Sequence, residues 1–131
     1  MTKPATVLLI EDNEQNLYLM RFLLEKHGFV VADARSGRQG LLEAARLRPD
    51  IILLDIQLPE MDGYTVAREL RKQAGQKDTP IVVVTSYAMV GDREKAIASG
   101  ATGYLEKPIN PDTFVEQVRQ HLPAALRAPS D

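Results

Sequence analysis

Five short runs of aliphatic, largely β-branched residues punctuate the chain: Thr6–Ile10, Phe29–Ala32, Ile51–Leu54, Ile81–Val84 and Gly103–Leu105. Most lack the polar alternation of a half-solvated strand, so both faces are predicted to be covered. The gap after each run has room for one helix. Strand alternating with helix calls for a parallel sheet joined by right-handed crossovers.

Helix punctuation agrees with this reading. Gly28 stands where the first helix should stop. Ser36 precedes Leu41, Leu42, Ala44, Ala45 and Leu47, and Pro49 halts that segment. Asp62 is placed to cap a helix that begins at Gly63 or Tyr64 and carries Val66, Ala67 and Leu70. Asp92 is expected to cap a short helix closed by Gly100. Asn110 and Pro111 read as a cap and a first-turn proline, opening a last helix with Phe114, Val118 and Leu122 inward. From Pro123 the stretch PAALRAPSD is small, polar and proline-punctuated, and is predicted to fray. The expected organisation is one domain over residues 1–122 and a flexible C-terminal tail over 123–131.

The first helix departs from a simple amphipathic pattern. Between Leu17 and Leu24 only Arg21 is strongly polar, so Leu17, Tyr18, Leu19, Met20, Phe22, Leu23 and Leu24 encircle the axis. A surface helix needs only one apolar stripe. Either neighbouring helices bury both flanks, which is the ordinary outcome, or some of these side chains face a partner.

Composition narrows the chemistry. With 131 residues, 44% of them apolar and 26% charged, the chain matches a soluble globular domain and not a disordered one. There is no cysteine, which removes disulfide scaffolds, thiolate metal sites and cysteine nucleophiles. His27 and His121 are too few for an imidazole-built metal centre. A net charge of −2 argues against a general nucleic-acid surface. No apolar run approaches the roughly 20 residues of a membrane span, and residues 1–10 carry no export signal, so a cytoplasmic location is expected.

Candidate chemistry gathers at one end of the predicted strands. In an open parallel sheet, ligands bind beyond the carboxyl ends of the strands. The first run leads into Glu11 and Asp12, the third into Asp55, the fourth into Thr85 and Ser86, the fifth into Glu106, Lys107 and Pro108. Each residue alone has an ordinary use as a turn former, a cap or a solvated charge. All at the same end of different runs, they point to a site. With the first and third strands as neighbours, three carboxylates meet, and such a cluster resists full ionisation unless a cation is present. Mg²⁺ suits it, since it prefers oxygen ligands and leaves positions for water and phosphate.

The segments VLLIEDN (7–13), IILLDIQLPEMDG (51–63), IVVVTSYAM (81–89) and GYLEKPI (103–109) resemble a response-regulator receiver domain of the CheY-like type. The pattern is most similar to stand-alone regulators of the DivK type and to receivers of hybrid kinases. The resemblance implies a doubly wound (βα)5 sandwich, flavodoxin-like in layout, with its five-stranded parallel sheet in the order 2-1-3-4-5. It implies that Asp55 accepts a phosphoryl group from a sensor histidine kinase or a phosphotransfer protein. Asp12 would bind Mg²⁺ directly, Glu11 mostly through water and Gln57 by its backbone carbonyl, with Asp55 also in the metal set. Lys107 would supply positive charge while the Thr85 hydroxyl and nearby backbone N–H groups hold phosphoryl oxygens, with Lys107-Pro108 matching the family's cis step. Movement of Thr85 and Tyr104 would carry the signal to a downstream effector protein through the surface of residues 92–122. Ser86 is small enough to keep Asp55 accessible, and bulky Tyr87 is expected to shield the phosphoryl group and slow its loss.

Output is expected through partner proteins, because the stretch after Leu122 is too short for a DNA-binding or catalytic domain. A piece cut from a hybrid kinase or cyclase remains an alternative, and homodimer formation on phosphorylation is left open. Two readings from other classes fare worse. A flavodoxin-like cofactor carrier wants a phosphate-cradling Ser/Thr/Gly loop where Glu11 and Asp12 stand. A haloacid-dehalogenase-type phosphatase normally has a second acid where Gln57 stands, so a lasting phosphoryl-aspartate is favoured over turnover.

Overall fold

In the computed structural model, which describes residues 4–86, 91–123 and 126, every predicted apolar run contributes a strand. The strands are β1 (Thr6–Ile10), β2 (Val30–Ala34), β3 (Ile51–Asp55), β4 (Ile81–Thr85) and β5 (Gly103–Glu106). Between and after them run α1 (Glu14–Lys26), α2 (Gly37–Leu47), α3 (Gly63–Lys72), α4 (Asp92–Ala98) and α5 (Phe114–Gln120). The strands pair in parallel in the order β2-β1-β3-β4-β5.

The unbroken apolar runs follow from burial on both sides. Val7, Leu9, Ile51, Leu53, Val82 and Val84 face one layer with Leu17, Met20 and Leu24 of α1 and Phe114 and Val118 of α5. Leu8, Ile10, Ile52, Leu54, Ile81 and Val83 face the other, with Ala44 of α2, Val66 and Leu70 of α3 and Ala96 of α4. Alternate residues of one strand therefore serve opposite cores, which leaves no position for a polar side chain.

Of the predicted caps, Ser36 and Asp62 hold, each accepting a hydrogen bond from a first-turn N–H of α2 and α3; Asn13, not read as a cap from the sequence, does the same for α1. β3, β4 and β5 each run one residue beyond the predicted run, and other boundaries shift further. Phe29 stays with the end of α1, its N–H donating to Leu24 O at 3.1 Å after Gly28 at φ +90°. β2 instead runs on through Asp33, whose charge masked it as a strand residue. Asp92 is the first residue of α4 and not its cap; Gly91 occupies the cap position. Asn110 nucleates a turn before α5: its Oδ1 accepts the Asp112 N–H at 2.9 Å and its carbonyl accepts those of Thr113 and Phe114. Of the expected tail, Pro123 and Leu126 are described, and Leu126 packs against the α1/α5 layer.

The two fates proposed for α1 divide its surface. Leu17, Met20, Leu23 and Leu24 are buried, whereas Tyr18 is 73% exposed and Phe22 51%. These two rings stack on each other with centroids 6.3 Å apart. Arg21 reaches sideways to the sheet edge, its guanidinium 2.6 Å from Asp33 Oδ2 and 3.2 Å from the Val31 carbonyl. Among the described residues no helix is long and apolar enough to cross a membrane.

Phe114 is fully buried in the α1/α5 layer. Phe114→Ala is expected to lower unfolding free energy by about 3–5 kcal/mol, read as a lower urea midpoint at unchanged slope.

Candidate functional site

Pairing of β1 with β3, which sets Ile10 beside Leu54, brings the ends of these strands together. Directly after β1, the Glu11 N–H donates to Ala34 O at 3.0 Å, and this bond fixes the turn. The Glu11 side chain folds inward and is 1% exposed, while Asp12 stays at the surface. Asn13 consolidates the arrangement, its N–H donating to Glu11 Oε2 at 3.2 Å. Asp55, the last residue of β3, is 4% exposed and accepts the Gln57 N–H on Oδ1 at 3.1 Å. Carboxylate oxygens of Glu11, Asp12 and Asp55 all lie within 4.8 Å of one another.

Lys107 enters from the far side of the sheet. Its N–H donates to Thr85 O at 2.7 Å, which extends the β4–β5 ladder past β5, and the following Lys107-Pro108 bond is cis. Its ammonium lies 2.7 Å from Glu11 Oε1 and 3.5 Å from Asp55 Oδ1. One ammonium does not neutralise three carboxylates. Burial pushes the Glu11 carboxyl up from 4.5 to about 7; the Lys107 hydrogen bond opposes this and the neighbouring Asp55 reinforces it. A site of oxygen donors with surplus negative charge has the composition that hard divalent cations prefer.

The remaining predicted residues take distinct places. Thr85 ends β4 in full burial, one position beyond Val84, the register partner of Asp55. Ser86 follows it at the surface, as does Gln57 after β3. Tyr104 stands two residues before Glu106 on β5, half-buried against the α2/α3/α4 layer and apart from the acid cluster. Tyr87, and with it the expected shielding of the phosphoryl group, lies outside the described residues.

One residue that shapes the site was read from sequence only as a helix start. The Gly63 N–H donates to Ile56 O at 2.8 Å, drawing the 57–62 loop back onto the end of β3. A Cβ at position 63 would stand 2.6 Å from Ile56 Cα and 2.7 Å from Asp55 O. The glycine following a capping aspartate was the available signal, but a tertiary close approach gives it meaning.

The family model for the response regulator receiver domain matches residues 7–119. The polar-differentiation response regulator DivK of Brucella anthropi is 39% identical over 119 residues, covering 91% of this chain and 97% of that protein. The DivK of Brucella abortus strain 2308 is 39% identical over 122 residues, covering 93% and 98%. The chemotaxis protein CheY4 of Vibrio cholerae superposes with a TM-score of 0.88 at 32% identity, covering 92% of this chain and all of the other. The receiver domain of the sensor histidine kinase PA1611 of Pseudomonas aeruginosa has a magnesium ion coordinated in its active-site cleft. It superposes with a TM-score of 0.83 at 34% identity, covering 91% and 98%.

Two outcomes follow from the geometry. Gly63→Ala must displace the end of β3 or the loop, at an expected cost of about 1–3 kcal/mol, with amide shifts concentrated at residues 55–63. In metal-free buffer the folded protein holds the Glu11 proton more tightly than the unfolded chain does. Its contribution therefore makes stability fall as pH rises from 4.5 to about 7 and level off above. Urea midpoints across that range should lose this decline in Glu11→Gln.

Proposed function

The chain belongs to the response regulator receiver domain family, and from that premise we propose that it is a phosphorylation-controlled binding module with Asp55 as phosphoacceptor. The observation that carries the reading is Lys107: a buried ammonium touching Glu11 and lying 3.5 Å from Asp55, at the rim where Asp12 also stands.

In this reading an Asp55 carboxylate oxygen attacks the phosphorus of a phosphohistidine on a sensor histidine kinase or phosphotransfer protein. The P–O bond forms as the P–N bond breaks, and the electron pair and a proton end on the imidazole. An acyl phosphate results. Phosphoryl transfer asks for in-line positioning and charge neutralisation more than for proton chemistry. Burial of Asp55 and its bond from the Gln57 N–H hold one oxygen in place. Lys107 lies close enough to pass from Glu11 to the incoming phosphoryl oxygens, and the Thr85 hydroxyl is a second donor. The oxygen donor set fits Mg²⁺, which Glu11, Asp12, Asp55 and the Gln57 carbonyl would hold. When bound, the ion would offset charge on the phosphoryl oxygens. Thr85 and Tyr104 then rearrange, and the 92–122 surface presents the change to a downstream effector. A phosphoryl group supplies the driving force, adding about −1.5 to −2 charges and three strong acceptors.

With acetyl phosphate and Mg²⁺, acetate leaves and intact mass should rise by one phosphoryl group. Asp55→Asn should take up none, and chelation should abolish the reaction. Lys107→Met should slow it on the order of a hundredfold. Equal labelling of Asp55→Asn and wild type would overturn the assignment.

A further inference from the structure

Among the described residues, helix α4 buries little of itself: of its seven residues Ala96 is the buried one, and Gly91 takes the cap position. Its C-terminal end is tied down well. Ser99 Oγ donates to Ala96 O at 2.7 Å, and the Arg71 guanidinium donates to Gly100 O at 2.9 Å. The same guanidinium grips the carbonyls of Gln76 and Thr79 in the loop after α3.

The flanks of α4 are held differently. On one side the Arg93 guanidinium lies 5.5 Å from the ring centre of Tyr104 on β5. On the other, Lys95 Nζ lies 5.5 Å from the ring centre of Tyr64 in the first turn of α3. Two residues advance a helix by about 200°, so with Ala96 pointing into the core the two cations project to opposite flanks. Each ring is half-buried and both cations are exposed, so each contact is of the modest strength of a surface cation–π pair.

We propose that Arg93 and Lys95 form an asymmetric two-cation latch on α4, in which the Arg93–Tyr104 contact holds the resting state and the Lys95–Tyr64 contact is kept in both states. The structural half rests on geometry alone; the regulatory half rests on the phosphoacceptor reading above. In the rearrangement proposed above, a Tyr104 ring that turns inward leaves Arg93, so this contact opposes activation. That reading moves no part of α3, so Lys95 keeps α4 against Tyr64 while the β5 side is released. Arg93 is thus a positioning residue acting through Tyr104, and α4 opens on one side like a hinged flap.

Amide hydrogen exchange and acetyl phosphate labelling test this. Arg93→Gln should speed exchange at residues 96–98 and raise the labelling rate by about two- to fivefold. Arg93→Lys should restore most of the resting behaviour. Lys95→Gln should speed exchange in resting and phosphorylated protein alike while labelling at the wild-type rate. In a Tyr104→Leu background, Arg93→Gln should have no further effect. Wild-type exchange in Arg93→Gln, or an equal effect of that change in Tyr104→Leu, overturns the latch. Faster exchange with unchanged labelling overturns its regulatory half. Should wild-type protein take no label at all, the phosphoacceptor reading fails by itself and takes the regulatory half with it, and exchange still decides the contact.

Discussion

The buried ion pair between Lys107 and Glu11 is the constraint around which the functional end of the molecule is arranged. Three carboxylates within 4.8 Å would repel one another without a counter-charge, and Lys107 is the ammonium that reaches inside. To reach there it must leave the sheet at the end of β5, and the bond from its N–H to Thr85 O fixes that point of departure. Glu11 must in turn be folded under by its own bond to Ala34 O. Sheet order, strand length and the turn after β1 are therefore all committed to one electrostatic contact. That contact also leaves a reserve, since a lysine lying 2.7 Å from one acid and 3.5 Å from another needs little motion to change partner.

Much of this was legible in the sequence because the physics was local. Runs such as Ile51–Leu54 and Ile81–Val84 admit no polar residue, and strands covered on both faces are the simplest account of them. The acids, the hydroxyl and the lysine could be placed at one rim because each directly follows such a run. Features decided by tertiary contact were out of reach. Asp92 looks like a cap, yet Gly91 takes that position and the aspartate falls inside α4. Gly63 matters through a backbone carbonyl eight residues earlier. Val30–Ala34 was displaced because Asp33 puts a charge inside a strand, where Arg21 pairs with it. The preference of Lys107 for Glu11 over Asp55 is a matter of fractions of a turn in side-chain placement, which no spacing encodes.

The two faces of the sheet differ in how firmly their helices are fixed. The α1/α5 side is locked by large buried apolar side chains, Phe114, Met20 and Leu24 among them. On the opposite side α2 and α3 are anchored comparably, while α4 contributes one buried alanine and is otherwise held at its end and flanks. Elements with little buried apolar surface open at low free energy. Compliance is thus concentrated in the helix beside the fourth and fifth strands, and the acid cluster is mounted on the rigid first and third.

Arg21 has a consequence that reaches beyond a single molecule. β2 borders the sheet, and a bare border strand is a template on which another chain can extend the ladder. Here the Val31 carbonyl is already occupied by a guanidinium and Asp33 is neutralised beside it. On this border an incoming backbone meets one carbonyl already taken and a fixed charge pair, which disfavours extension of the ladder from β2.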